Sequence, residues 1–215
     1  MSNVTYHVSS LSGGIKISPY EEPEEDLVYV ATLGGTIDKD YPKLTSGYAF
    51  EFGDQSAAER ILKAHPNLGT SYSITSICKK DSLEITSNDR LDLVSYIIET
   101  IKYRPMNSEL PLRIVVTHGT DTMIETAMYI KNGLRGEDRA RVVIAFTGAT
   151  KPERFVDSDA SFNVGCAVAA TSCCKPGSVV ICMNGNVIPV EQCLRHEATG
   201  RFLKEVTYYD SVHLR

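Results

Sequence analysis

The chain has 215 residues, 42% of them hydrophobic, and a formal net charge of -5 from 22 Lys+Arg against 27 Asp+Glu. That length suits one domain with its own core, and a mildly acidic chain without a basic run is a poor match for nucleic acid or an anionic membrane surface. No apolar stretch approaches the roughly 18 residues that a membrane span needs.

Residues 1–26 hold Ser, Gly and Pro and then the acidic run Glu21, Glu22, Glu24, Glu25, Asp26. They read as a flexible acidic extension that buries little. No basic stretch followed by an apolar block opens the chain, so no signal peptide is expected. The apolar run Leu27 to Leu33 then stops abruptly at Gly34-Gly35, with Thr36 immediately after. Asp38 to Gly53 is polar and glycine-containing, as a closing lid would be. Asp54 to Ala64 has helical periodicity. Tyr72 to Cys78 alternates and is expected near a sheet edge; Lys80-Asp81-Ser82 follows it. Asn88 to Tyr103 is the clearest helix, with Leu91, Val94, Ile97, Ile98 and Ile101 on one face and Asn88 as its cap.

Arg113 to Thr117 is a second continuous apolar run, and Arg141 to Phe146 and Ser178 to Met183 are two more. Helical segments, Thr122 to Asn132 ended by Gly133 and the small-residue stretch Ser161 to Ser172, separate them. Continuous Val, Ile and Leu mark strands covered on both faces. The alternation of strand and helix predicts an α/β fold: a doubly wound, mostly parallel sheet with helices on both faces. The expected organisation is an extension at 1–26, one catalytic domain at 27–205 and a tail at 206–215. None of the six cysteines forms a C-x-x-C pair, so a zinc site is disfavoured and a reducing, cytoplasmic setting is expected.

In such a sheet, ligands bind at the carboxyl ends of the strands. Gly34-Gly35-Thr36 leaves the first strand. Alone it would be an ordinary tight turn; it is neither a dinucleotide fingerprint nor a P-loop. Thr117-His118-Gly119-Thr120-Asp121-Thr122 leaves another, with three hydroxyls, a His and a carboxylate in six residues. A helix dipole would account for Asp121 as a cap, but not for the hydroxyls on either side of Gly119. Ser82 beside its turn could grip a carboxylate or simply cap it.

Taken together, "LGGTID", "KKDSLEIT", "VVTHGTDTMIETA", "TGATKPERFVDSDASFNVGCAVAA" and "MNGNV" occur in the order seen in bacterial-type L-asparaginases. From about residue 27 to 205 the chain resembles the amino-terminal catalytic domain of that family, and most of all its short single-domain members. The resemblance implies Thr36 as the nucleophile, helped by a lid tyrosine, best matched by Tyr48 with Tyr41 second. It implies Ser82 on the substrate α-carboxylate, Gly35 and Asp81 among the other substrate-binding residues, and Thr120 and Asp121 as the second hydroxyl–carboxylate pair, Asp121 also taking the α-ammonium. Backbone near Gly35 and Thr120 would stabilise the oxyanion. Asp159 and Asn163 look like framework residues behind the site, and Glu84 falls near an acidic position. The implied substrate is a small amino-acid amide, with no cofactor or metal, no nucleic acid, no membrane, and a homodimer.

The pattern breaks at Arg195, which stands where the family places a Lys beside the Thr–Asp pair, with His196 next. Arg cannot lose its proton and act as a base. Leu33 replaces a usual Thr and Thr150 a usual Met. The family's carboxy-terminal domain, which lends a Glu to a neighbour's site, has no counterpart in the sequence. The expected function is hydrolysis of L-asparagine to L-aspartate and ammonia. The alternatives are an amidohydrolase for another small amide such as L-glutamine, or an impaired protein that only binds asparagine or aspartate. A homologous domain also serves an archaeal-type amidotransferase, but no extra domain or basic surface supports that reading.

Overall fold

Inner strands of a parallel sheet are covered on both faces and so are mainly apolar, and four runs meet that condition over most of their length. The computed structural model describes residues 27–41, 49–104 and 110–205. The acidic extension, the tail at 206–215 and Tyr48 lie outside the described residues. In chain order the strands and helices are β1 (Leu27–Gly34), β2 (Lys39–Asp40), β3 (Glu51–Phe52), α1 (Ala57–Lys63), β4 (Ser71–Lys80), α2 (Ser87–Tyr103), β5 (Leu112–Thr117), α3 (Met123–Gly133), α4 (Gly136–Arg139), β6 (Val142–Thr147), α5 (Ala160–Cys173), β7 (Val179–Met183), β8 (Asn186–Pro189), β9 (Cys193–Arg195) and β10 (Phe202–Lys204).

Six strands form one sheet in the order β4-β1-β5-β6-β7-β8. All its pairs are parallel except β7–β8, as the expected mostly parallel α/β fold requires. The chain steps from β1 to β4 on one side, then crosses back to β5 on the other. The order therefore reverses between β1 and β5, and the crevice outside their carboxyl ends is the place for a ligand.

Successive side chains point to opposite faces of a strand. Ile114 and Val116 of β5 accordingly join a core with α2 and α3 through Leu93, Ile97, Ile101, Met123 and Ile130. Val115 between them joins a second core with α1 and α5 through Ala58, Ile61, Val164 and Val168. Helices thus cover both faces. β4 lies at the sheet edge, as its weaker alternating pattern indicated.

Three details differ from expectation. The α2 cap is Thr86, not Asn88: Thr86 Oγ1 accepts from Asp89 N–H while the Asp89 carboxylate accepts from Thr86 N–H. This reciprocal box satisfies two orphan donors, which Asn88 inside the first turn does not do. Leu91 is half exposed, and Leu93 and Tyr96 are buried instead, so the apolar stripe is rotated. Short strands β2, β3, β8, β9 and β10 carry too little periodicity to be recognised from sequence.

Candidate active site

The loops that leave β1, β4 and β5 touch through their backbones because glycines stand at the crossings. Gly34 and Gly35 have φ of 88° and 84°, a region that costs L side chains steric strain. A Cβ on Gly34 would fall 2.6 Å from Lys80 N and O; one on Gly35 would fall 2.3 Å from Gly119 N and Cα. A Cβ on Gly119 would fall 2.5 Å from the Ser82 Cβ. Gly35 N–H donates to Lys80 O at 2.8 Å. The two glycines before Thr36 thus let the β1 end lie directly on the other two loops, and Thr36, Ser82, Thr120 and Asp121 meet in the crevice.

A polar chain links Ser82, Asp121, Arg195 and Thr120. Ser82 Oγ donates to Asp121 Oδ2 at 3.1 Å. Arg195 Nη1 pairs with Asp121 Oδ1 at 2.8 Å, and Arg195 Nη2 donates to Thr120 Oγ1 at 3.3 Å. Thr122 Oγ1 donates to Ser82 O at 2.6 Å. Asp121 does not cap α3; its two oxygens face Ser82 and Arg195. Ser82 and Thr120 are buried, whereas Asp121 and Arg195 remain over a third exposed along their side chains. Thr36 is half-buried, and its hydroxyl makes no hydrogen bond with another side chain or backbone group among the described residues.

The cation arrives from outside the main sheet. Arg195 ends β9, which pairs with β10 in a small antiparallel hairpin. His196 is exposed and turns into that hairpin, its Nδ1 3.1 Å from Thr199 Oγ1. The described contacts therefore give the Thr–Asp pair to Arg195 rather than to His196.

Asp81 has both carboxylate oxygens engaged by its own chain. One accepts from Leu83 N–H at 3.2 Å in a capping box shared with Glu84, and the other pairs with Lys39. The Lys39 ammonium holds the Asp81 carboxyl below its usual pKa. Asp81 and Glu84 thus shape the turn that carries Ser82. The Tyr41 ring packs on Phe155 with 6.1 Å between centroids. Asp159 accepts from Thr150 N–H and Oγ1, and Asn163 Nδ2 donates to Gly148 O and to Asp159, bracing the loop after β6.

His118 is fully buried under the Thr120 turn. Its Nδ1 lies 2.7 Å from Gly119 O, so that nitrogen carries the proton. Nε2 and the Thr117 hydroxyl are buried without a partner among the described residues. Burial pushes the imidazole down to about 4, so it is neutral at pH 7. Cys193 behind Arg195 is buried, with its thiol pushed up to about 11, as suits an inert apolar packing residue.

Sequence reasoning missed Lys39 and Asp38. Asp38 is buried just after Thr36, and its carboxylate accepts from Ala57 N–H, 19 positions further along the chain. A partner that far along the chain leaves no local signal.

A family model for the amino-terminal domain of asparaginase matches residues 27–202. The chain belongs to the asparaginase family. Among relatives, this asparaginase-family chain is 29% identical over 168 residues to a glutaminase-asparaginase of Acinetobacter glutaminasificans, covering 76% of the chain and 47% of that protein. It is 31% identical over 171 residues to one component of the glutamyl-tRNA(Gln) amidotransferase of Methanothermobacter thermautotrophicus, covering 78% and 35% respectively. The fold is that of the thermostable L-asparaginase from Thermococcus kodakarensis, with a TM-score of 0.67 at 21% identity, over 83% of this chain and 51% of that one. The chain thus spans about half or less of the relatives it matches. No helix among the described residues is long and apolar enough to cross a membrane.

Proposed function

We propose that this asparaginase-family domain is an amidohydrolase that converts L-asparagine to L-aspartate and ammonia, with residues 27–205 as the catalytic unit. The observation that carries the reading is the convergence of Thr36 with the Ser82–Asp121–Arg195–Thr120 chain, across crossings that only glycine permits.

Ser82 takes the substrate α-carboxylate, and Asp121 takes the α-ammonium. Asp81 serves through Ser82, whose turn it fixes. The Thr36 oxygen attacks the side-chain amide carbon. Its proton passes to the departing nitrogen, with the lid tyrosine Tyr48 as relay, so the C–N bond breaks to ammonia and an ester on Thr36. Water then adds to the ester, releasing aspartate and restoring the Thr36 hydroxyl. The Gly35 N–H is committed to Lys80 O, so the oxyanion contact on that side falls to the Thr36 N–H, opposite Thr120. Arg195 donates to Thr120 Oγ1, which makes that oxygen an acceptor and sends its own proton toward substrate or water.

Glutamine is one methylene longer and offers the same polar ends, so it is the alternative substrate. The fixed charge of Arg195 favours a second reading, an impaired protein that binds asparagine or aspartate without turnover. The deciding experiment is ammonia release from L-asparagine and L-glutamine by wild type and Thr36→Ala. Saturable release by wild type, with a loss of at least about a hundred-fold in the variant at unchanged melting temperature, is expected. No release, together with a melting temperature raised by either amino acid, selects the binding reading. Full activity in Thr36→Ala removes Thr36 as nucleophile.

A further inference from the structure

Thr36, Ile37 and Asp38 form a single 3-10 turn between β1 and β2. Its closure is short: Asp38 N–H donates to Gly35 O at 3.0 Å. The turn is then held at two outward points. Ile37 O accepts from Glu153 N–H at 3.1 Å, in the loop after β6. The Asp38 carboxylate accepts from Ala57 N–H, the first residue of α1. That donor is one of the four N–H groups a helix start leaves unpaired. Ser56, the cap of α1, satisfies Glu59 N–H instead, so Asp38 supplies a second, distant cap.

Burial of a carboxyl is costly unless its oxygens are occupied. Asp38 is 8% exposed, and no ion pair to it closer than 4 Å exists among the described residues. The charged groups facing it are Arg60 of α1, Lys79 at the end of β4 and Glu153 after β6. Arg60 is neutralised by Glu153 at 2.7 Å, and Lys79 Nζ is taken by the carbonyls of Gly53 and Asp54. What remains for Asp38 is a directional backbone bond. Placing so disfavoured a group two residues after the proposed nucleophile, for one bond to a helix start, is explained if the bond sets where the turn sits.

We infer that Asp38 is a positioning residue: by bonding Ala57 N–H it ties the Thr36 turn to α1 and fixes the Thr36 hydroxyl against the Ser82 and Thr120 loops. Its functional half rests on the proposed role of Thr36. Substrate contacts at Ser82 and Asp121 lie on other loops, so they are untouched by this tie.

The test compares wild type, Asp38→Asn and Asp38→Ala by ammonia release from L-asparagine, and by hydrogen exchange of peptides covering 36–39 and 118–122. The Asn carbonyl can still accept from Ala57 N–H; Ala cannot. In D38A, kcat falls at least about ten-fold with KM within about two-fold, and exchange rises at 36–39 but not at 118–122. D38N restores most of both. A D38A that keeps kcat within two-fold overturns the inference, and so do equal losses in D38A and D38N, which would assign the effect to charge. Should wild type release no ammonia, the function proposed above fails, and exchange alone decides: protection at 36–39 lost in D38A and kept in D38N sustains the tie, and unchanged protection refutes it.

Discussion

At the scale of residues, the Arg195 guanidinium holds both members of the Thr120–Asp121 pair. Its planar fork reaches Asp121 and Thr120 with different nitrogens, which a single ammonium does less well. A Lys, however, can lose its proton and assist Thr120, and Arg cannot. Arg195→Lys is therefore expected to raise kcat by a factor that grows with pH, on the order of ten-fold by pH 9. A sharp loss at every pH would instead give the two-point grip its own task. Thr36, Ser82, Thr120 and Asp121 were legible because each stands in a short motif at a strand end. Asp38 was not, because its partner Ala57 lies 19 positions away along the chain. His118 was visible in its motif, but its burial and tautomer follow from Phe146 and Gly119 packing around it.

At the scale of elements, long apolar runs announced themselves and short polar strands did not. Inner strands β5, β6 and β7 are buried along their whole length, so their sequence has little room for polar residues. The hairpin of β9 and β10 buries Cys193 and Phe202 and exposes the rest, which no pattern of period two over three residues can signal. Thr86 outdid Asn88 because capping depends on where the first turn closes, a matter of one or two residues. The glycine crossings make the three site loops behave as one element. Gly119→Ala puts a methyl 2.5 Å from the Ser82 Cβ, and the backbone of neither loop can yield alone. Urea unfolding should show a loss of about 1–3 kcal/mol, typical of overpacking, with ammonia release falling together with it. Unchanged stability would mean that the loops are looser than this packing requires.

At the scale of the whole molecule, two buried titrations oppose each other. Asp38 is raised to about 6, chiefly by burial. The folded state then holds a proton that the unfolded chain has lost, so this contribution is full below about pH 4 and disappears as pH rises through 6. His118 is lowered to about 4, also by burial. The unfolded chain holds its proton first, so this contribution is present above about pH 6.5 and disappears as pH falls toward 4. Over the same window one weakens as the other strengthens, so their sum is nearly flat. Asp38→Asn removes one side of the balance. Its unfolding free energy should climb with pH between 4.5 and 6.5, by on the order of 2 kcal/mol, where that of wild type changes little. It should also exceed wild type at pH 7, since the buried charge is gone. Parallel curves for the two proteins would contradict the opposing assignments.

The position of Arg195 on a hairpin outside the sheet also separates the cation of the site from the rest of it. The sheet is complete once β8 has formed, at Pro189, and Thr36, Ser82, Thr120 and Asp121 all belong to what precedes it. Arg195 reaches Asp121 and Thr120 only by way of the β9–β10 hairpin, so opening that hairpin withdraws the cation and leaves the Asp121 carboxylate with Ser82 while the six-stranded sheet stays intact.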